Sequence, residues 1–290
     1  MRKLTFRISR LAFASAAVAA TTLAVALGGS PSSSAAVAVA HAATIKVPAG
    51  ALGEAGKIRY CSDISSPPLE FYKNGTQATG SDIDLGNAIA AALGVQPVWV
   101  NTAFAGIIPA LQAGHCDAII SQLFDKPARR SVVDFVDYMN SSEAVLVGAG
   151  NPLHIAGVAG LCGRTVAAET GTTITTYLAQ ESKQCVQKKK SPISVQTFLR
   201  DADALEQLAL GHVQAYGTTV ETGAYDISKS SPHRFQFAGG AFDKILTGIA
   251  TRKNDSALHA TIARALAALR SNGTYRRIFA KWGLLADLLK

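Results

Sequence analysis

The sequence lacks the short motifs that accompany common hydrolytic, metal-dependent and nucleotide-dependent reactions. Its 290 residues contain no G-x-S-x-G, no H-E-x-x-H, no P-loop and no G-x-G-x-x-G that follows a predicted strand. The six histidines are scattered, and none stands at a predicted cleft position. These absences argue against a hydrolase, a metalloenzyme or a nucleotide-dependent enzyme, so we expect neither a cofactor nor a metal ion.

Cysteine is scarce, with only Cys61, Cys116, Cys162 and Cys185. No pair has the tight spacing of a zinc site, so we expect disulfides instead. Cys162 and Cys185 flank one predicted strand–helix unit, and a disulfide closing that loop contributes about 3 kcal/mol by the chain-entropy argument. Cys61 and Cys116 each lie beside a predicted strand, and the sequence leaves open whether they meet.

Only the N terminus carries a long apolar run. Four basic residues precede the Ala-rich segment 11–27, and the tripeptide 40–42 fits a small-x-small cleavage site. We interpret residues 1–42 as a secretory signal peptide. The alternative, a membrane anchor, is disfavoured because the run is short, rich in small residues and soon followed by Ser and Pro.

Acidic residues are outnumbered, with 20 Asp and Glu against 28 Lys and Arg, which gives a formal net charge of +8. Removal of the four basic residues of the signal peptide lowers this charge to +4. The lysine run 188–190 supplies much of the excess. Because no aromatic residues are interleaved with it, we predict a solvated loop and no nucleic-acid partner.

Short apolar strands alternate with helical stretches from Lys57 onward, which is typical of α/β lobes with mostly parallel sheets. Asp84 is the predicted N-cap of the first helix and Gly94 its C-cap. A long helix near the C terminus carries an apolar stripe, and Thr274 is the predicted cap of a last short helix. The predicted strands are 58–62, 97–100, 117–121, 144–149, 164–169, 193–198, 213–218 and 245–251.

Two such lobes predict a cleft lined by the carboxyl ends of their strands. Arg129 follows a buried strand beyond Pro127, and its planar fork suits a carboxylate, although an isolated loop arginine is usually a surface charge. The turn 171–173 opens a helix and so forms either an anion site or a simple cap. Asp63 ends the first strand, where it either receives an ammonium group or caps the loop.

The order and spacing of the motifs from Lys57 to Gly283 resemble the bacterial periplasmic solute-binding proteins that serve ABC importers of polar amino acids. The resemblance rests on PPLEF (67–71), GSDIDLGNAIAAALG (80–94), FAGIIPALQAGHCDAIIS (104–121), PARRSVVDFVDYM (127–139), CGRTVAAETGTT (162–173), LALGHVQA (208–215) and NGTYRRIFAKWG (272–283).

This resemblance implies a type II periplasmic-binding-protein fold with two lobes that close on a ligand. The first lobe would comprise 57–143 and 248–290, and the second 147–242. Linker strands would fall near 144–146 and 243–247. The family's function implies a monomer in the periplasm that captures a small solute and delivers it to a membrane permease.

The resemblance also implies roles for individual residues. Arg129 matches the arginine that grips the α-carboxylate, and Asp63 matches an acidic residue near the end of the first strand. The predicted ligand-binding residues are Asp63, Phe104, Ser121, Gln122, Phe124, Arg129, Gly171, Thr172, Thr173 and Thr219. Packing into the core is the alternative for Phe104 and for Phe124.

Three positions depart from the family pattern. Phe124 and Lys126 replace small or hydroxyl-bearing residues. Thr218 or Thr219 stands where the family has the second-lobe Asp that binds the α-ammonium group. Glu221 is a candidate substitute on geometric grounds, but the alignment does not place it at that position. The family therefore implies an α-amino acid ligand, and the missing Asp weakens that expectation.

Two other functions stay open at the level of sequence. Some proteins of this fold are exported dehydratases of cyclic carboxylates, and such chemistry needs a carboxyl group poised in the cleft, with Asp63, Glu169 and Glu221 as candidates. A sensor role would require a separate signalling partner.

Overall fold

The computed structural model describes residues 44–230 and 234–289. The predicted signal peptide, 1–42, lies outside the described residues. Within the described ranges, none of the helices combines the length and the apolar composition that crossing a bilayer requires.

The described chain alternates strands and helices, as its pattern predicts. The strands are β1 Lys57–Ser62, β2 Phe71–Lys73, β3 Gln77–Thr79, β4 Gln96–Asn101, β5 Ala118–Ile119, β6 Val133–Gly148, β7 Thr165–Glu169, β8 Ser194–Phe198, β9 Ala215–Thr219, β10 Phe235–Phe237 and β11 Phe242–Arg252. The helices are α1 Ser81–Leu93, α2 Ile107–Gln112, α3 Pro127–Arg130, α4 Thr173–Gln187, α5 Asp201–Ala209, α6 Val220–Lys229, α7 Ser256–Ser271 and α8 Thr274–Trp282.

The main sheet runs β4-β1-β5-β11-β6-β9-β7-β8, with β10 also paired to β6. The pairs β1–β4, β1–β5, β7–β8 and β7–β9 are parallel, as helical crossovers require, whereas β6 and β11 run antiparallel to their neighbours. We call the half with β4, β1, β5 and β11 the first lobe and the half with β9, β7 and β8 the second lobe. The predicted two-lobed α/β fold is confirmed.

Strand β6 joins the two lobes. Its residues 133–143 pair with β11, and 143–146 pair with β9. The sequence predicts a strand only over 144–149, because the earlier residues of β6 mix buried and half-buried positions and carry no continuous apolar run. The predicted linkers 144–146 and 243–247 lie within β6 and β11; the proposed lobe boundaries stay a prediction.

Two predicted helix caps are wrong. Helix α1 starts at Ser81 after Gly80, not after Asp84. Glycine is required at this cap because a Cβ on Gly80 would lie 1.9 Å from the Leu69 carbonyl oxygen. Asp84 instead accepts hydrogen bonds from Lys281 Nζ and Trp282 Nε1, at 2.6 and 2.7 Å. These bonds tie α1 to α8.

Thr274 is the first residue of α8, and its N-cap is Gly273 in the left-handed region. The predicted C-cap Gly94 is confirmed, with a φ of 66° that glycine adopts without strain.

The core of the first lobe lies where the sheet meets α1, α7 and α8. The stripe predicted on α7 is buried against it, with Leu258, Ile262, Leu266 and Leu269 all at most 4% exposed. In the second lobe, β7 and α4 share a smaller core around Val166, Ile174 and Leu178. Burial of these apolar stripes at about 25 cal/mol per Å² stabilises each lobe and aims the strand ends at the cleft.

Both disulfides form. The predicted Cys162–Cys185 bond attaches the start of β7 to the end of α4. Cys61 and Cys116, whose pairing the sequence leaves open, are also joined. The second bond links β1 to the segment before β5, in the core that α2 covers.

Candidate ligand-binding cleft

A cleft lies between the lobes at the carboxyl ends of β1, β5, β7 and β9. Eight of the ten predicted ligand-binding residues line it, namely Phe104, Ser121, Gln122, Phe124, Arg129, Thr172, Thr173 and Thr219. Asp63 and Gly171 lie directly behind this lining, where each contacts a lining residue. The remaining lining residues are Ser66, Glu70, Glu143, Glu169, Ile174, Asp201, Gly217, Thr218 and Thr222.

Arg129 is not a surface charge. It sits in the four-residue helix α3, which Pro127 starts, and its side chain turns into the cleft. Its Nη1 donates to the Phe124 carbonyl at 3.0 Å, and its guanidinium lies 5.3 Å from the centre of the Phe104 ring. Burial lowers the pKa of Arg129 to about 10, an effect that the charge of Glu143 opposes. The guanidinium therefore stays cationic at neutral pH and faces the cleft.

The turn 171–173 faces Arg129 from the second lobe. Gly171 has a φ of 84°, and its carbonyl accepts from Arg129 Nη2 at 3.4 Å. Thr172 is the N-cap of the 15-residue helix α4, and its hydroxyl donates to the Glu169 carbonyl at 2.6 Å. The positive end of the α4 dipole thus points into the cleft, as an anion site requires.

Asp63 caps a turn of its own lobe, which is one of its two predicted roles. Its Oδ2 accepts from the Phe104 backbone N–H at 2.7 Å, and its own N–H donates to Ser121 Oγ at 2.9 Å. The Ser121 hydroxyl in turn donates to Glu70 Oε1 at 3.1 Å. The side chains of Asp63 and Ser121 therefore both have protein partners, and these contacts position Phe104 at the cleft wall.

Gln122 bridges the lobes. Its backbone takes a φ of 41°, which turns the chain after β5 and aims the side chain at the second lobe. Its Nε2 donates to Glu221 Oε2 at 3.0 Å and lies 3.2 Å from Thr219 Oγ1. Ser141 also donates to Glu221 Oε2, at 2.6 Å. Glu221 is thus occupied by protein donors and does not line the cleft, so it is not a free substitute for an ammonium-binding Asp.

Other contacts hold the lobes in a closed arrangement. The backbone N–H of Asp201 donates to Ser65 Oγ at 3.1 Å across the cleft. Lys126 lies 3.7 Å from Asp243 and 4.9 Å from the centre of the Tyr177 ring, and the Tyr177 hydroxyl donates to Asp243. Lys126 therefore belongs to a contact at the rim of the cleft. Phe124 is buried, so it packs into the core while it also borders the cleft.

Sequence reasoning missed most of the acidic lining. Glu70, Glu143 and Asp201 join Glu169 around the cleft. Asp201 follows the end of β8, a position at which the strand-end rule would have found it. Glu143 lies in the part of β6 that was not predicted as a strand, and no local signal marks it.

Burial keeps several of these carboxyl groups protonated. It raises the pKa values of Glu169 and Asp201, and the nearby charges of Asp201 and Asp63 raise the pKa of Glu169 further. Burial also raises the pKa of Glu143 to about 8, against a lowering by Lys126. A bound cation would favour the ionised forms of these groups.

Comparison with known proteins assigns the chain to a family. Residues 58–285 match the family described as bacterial extracellular solute-binding proteins, family 3. This chain belongs to that family.

Named relatives of this family 3 protein bind amino acids. It is 29% identical over 233 residues to the lysine/arginine/ornithine-binding periplasmic protein of Escherichia coli (strain K12), a match that covers 78% of this chain and 86% of that protein. An ancestral arginine-binding protein bound to arginine is 30% identical, with a TM-score of 0.73 over 78% of this chain and 98% of that one.

Another similar structure is the ancestral amino acid-binding protein AncCDT-1, a precursor of cyclohexadienyl dehydratase. It is 31% identical, with a TM-score of 0.70 over 78% of this chain and 95% of that one.

Proposed function

We propose that this family 3 protein is the exported capture component of an ABC importer and closes its two lobes on an amino acid or a related small carboxylate. The observation that carries the proposal is Arg129, a half-buried guanidinium that faces the positive end of α4 across the cleft. The predicted signal peptide, the disulfides and the periplasmic relative support export. A membrane permease is the proposed partner, and the protein is proposed to act as a monomer.

Charge explains why a carboxylate fits this side of the cleft. Two protein carbonyls, those of Phe124 and Gly171, accept from Arg129 in the closed form. A neutral carbonyl is a weaker partner for a guanidinium than a carboxylate, which takes two parallel charge-assisted bonds. A ligand carboxylate would therefore compete well with these two carbonyls for the guanidinium of Arg129. It would also accept hydrogen bonds from the backbone N–H groups at the N terminus of α4.

The acidic groups beside Phe104 favour a ligand with a cationic second end. Asp63 and Glu169 lie close enough for each to affect the pKa of the other, and Asp201 lies close enough to raise the pKa of Glu169. Phe104 lies between the cationic and the acidic side of the cleft, because its ring packs against Arg129 and its N–H donates to Asp63. A basic amino acid matches this separation of charge, in keeping with the names of the relatives.

A thermal-shift screen tests the proposal with ligands that differ in one group. We expect L-arginine, L-lysine or L-ornithine to raise the Tm of the purified mature protein, while agmatine, which is arginine without its carboxylate, does not. Native mass spectrometry of freshly purified protein would identify a retained ligand. If no carboxylate-bearing solute raises the Tm and none co-purifies, the proposal is wrong.

A second candidate function is that of an exported dehydratase, and one observation favours it. Glu169 is 4% exposed, lines the cleft and has a pKa raised by burial, so it is a protonated acid at neutral pH. Such a group can protonate a leaving hydroxyl. Turnover of prephenate or arogenate, followed by absorbance and lost in Glu169→Gln, would support this function; no turnover would dismiss it.

Gly171→Ala is expected to weaken ligand binding by about tenfold or more, because closure would be blocked. A Cβ at Gly171 would lie 2.9 Å from Ala105 Cα, across the cleft, and the φ of 84° is itself unfavourable for alanine. Calorimetric titration with the ligand that the screen finds would measure this loss.

Gly211→Ala is the matched control. Gly211 has a similar φ of 76°, but an added Cβ meets no atom within 4 Å. Both variants should lose some stability, and only Gly171→Ala should lose affinity. Equal affinities in the two variants would contradict the closed arrangement of the lobes.

A further inference from the structure

The ammonium group of an α-amino acid needs an acceptor close to Arg129. In such a ligand the ammonium stands on the carbon next to the carboxylate, so the two protein groups that hold them must be neighbours. This step rests on the proposed function, in which Arg129 holds the carboxylate. Six carboxyl groups lie in or beside the cleft, those of Asp63, Glu70, Glu143, Glu169, Asp201 and Glu221.

Two of them are occupied by neighbouring donors. Glu221 accepts from Ser141 and from Gln122, and it does not line the cleft. Glu70 accepts from Ser121, and burial, helped by the negative charge of Asp82, raises its pKa well above the ordinary value. A neutral carboxylic acid with a protein donor is a poor acceptor for an ammonium group.

Three others belong to a separate group on the Asp63 side of Phe104. Asp63, Glu169 and Asp201 affect one another's pKa values. Glu143 is instead the acidic side chain whose charge acts on the pKa of Arg129. Asp63 contacts the backbone of Phe104 whereas Arg129 contacts its ring, so we assign this group of three to the far end of the ligand.

Glu143 has the required properties. It is 2% exposed, lines the cleft and accepts no side-chain hydrogen bond from residues 44–230 or 234–289. In the sheet it stands opposite Thr219, whose neutral side chain adds no competing charge. A buried carboxylate without a donor costs free energy until a cation pairs with it.

We propose that Glu143 accepts the ligand's α-ammonium group and forms, with Arg129, a clamp for the zwitterionic end of an amino acid. The acceptor then lies on β6, the strand that passes from one lobe to the other, rather than on a strand end of the second lobe. Glu143 pairs with Thr219 in the sheet, beside the hydrogen bond by which Gln122 reaches Glu221 of the second lobe. A ligand bound at Glu143 would therefore contact β6 at the point where this strand joins the two lobes.

The same geometry makes binding sensitive to pH. Burial raises the pKa of Glu143 to about 8, and the charged groups that face it are Lys126, Arg129, Asp243 and Glu221. Below pH 8 the unliganded carboxyl is largely protonated, and an ammonium group favours its ionised form, so binding releases a proton. Affinity should therefore rise between pH 6 and pH 8, and the part of this rise that depends on the ligand's α-amino group should vanish when Glu143 cannot ionise.

Glu143→Gln tests the assignment against pairs of probes that differ only in the α-amino group. The pairs are L-arginine with 5-guanidinopentanoate, L-lysine with 6-aminohexanoate, and L-glutamine with 5-amino-5-oxopentanoate. For the pair that binds, we expect the wild-type protein to prefer the amino acid by about 30-fold, the size of one charge-assisted hydrogen bond. In Glu143→Gln this preference should fall to about threefold or less, with little change for the desamino compound.

Asp226→Asn is the matched control. Asp226 is 7% exposed, and burial raises its pKa to about 8, but it lies outside the cleft lining. It should keep both the preference and the pH dependence of binding. Thermal denaturation would check that each variant is folded.

The outcomes separate the two proposals. If the wild-type protein binds both members of a pair equally, or Glu143→Gln keeps the preference, the Glu143 assignment is wrong and the capture of a carboxylate stands. If the wild-type protein binds no member of any pair, the Glu143 assignment is wrong, and the proposed function fails as well if the thermal-shift screen finds no other carboxylate-bearing ligand.

Discussion

Arg129→Ala is expected to reduce ligand affinity by about 100-fold or more, the largest effect of any single substitution in the cleft. The guanidinium is the cationic side chain among the lining residues, and it supplies a planar pair of donors to a carboxylate. The substitution also removes the positive charge that lowers the pKa of Glu143. That carboxyl should then stay protonated to higher pH, which weakens the ammonium contact as well.

Arg130→Ala is the control for this variant. Arg130 is the next residue of α3, but its side chain is exposed, forms an ion pair with the buried Asp125 and does not line the cleft. Isothermal titration of both variants should show lost affinity in Arg129→Ala alone. Arg129→Lys sharpens the comparison, because lysine keeps the charge without the fork and should recover only part of the affinity. Unchanged affinity in Arg129→Ala would remove the basis of the proposed function.

Loss of the Cys61–Cys116 disulfide is expected to lower stability by about 4 kcal/mol, which corresponds to a fall in Tm of roughly 10 °C. The bond closes a loop with a sequence separation of 55, so its removal frees many conformations of the unfolded chain. Both cysteines are fully buried beside Ile107, Leu111 and Ile119, and Cys→Ala changes would add cavities there.

The second disulfide provides the comparison. Cys162–Cys185 closes a shorter loop, with a separation of 23, for which the same argument gives about 3 kcal/mol. Thermal denaturation of the two double Cys→Ala variants should show the larger loss for the first pair. That pair should also lose ligand affinity, because Asp63 directly follows β1 and Ser121 follows β5. A larger loss for Cys162–Cys185, or none for either pair, would contradict this ranking.

The sequence by itself predicted the order of most elements and most of the strand ends, but not the short strands β2, β3 and β10 or the first part of β6. The apolar stripe of α7 and the alternation of strands with helices are local patterns, and burial in the structure follows them. The Cys162–Cys185 bond spans one local unit, so its two ends are brought together by elements that are adjacent in sequence. The resemblance to a known family, read from the same sequence, placed eight of the residues that line the cleft.

Only the tertiary structure decided how distant segments meet. Cys61 pairs with Cys116 because β5 lies beside β1, an adjacency that sequence periodicity does not encode. Asp63 accepts from the backbone of Phe104 and Glu221 accepts from Gln122, whereas Glu143 accepts no side-chain hydrogen bond from residues 44–230 or 234–289. Whether a carboxylate is paired, buried or free depends on long-range neighbours. For that reason the sequence predicted the place of the cleft, while the structure showed which of its charged side chains already have protein partners.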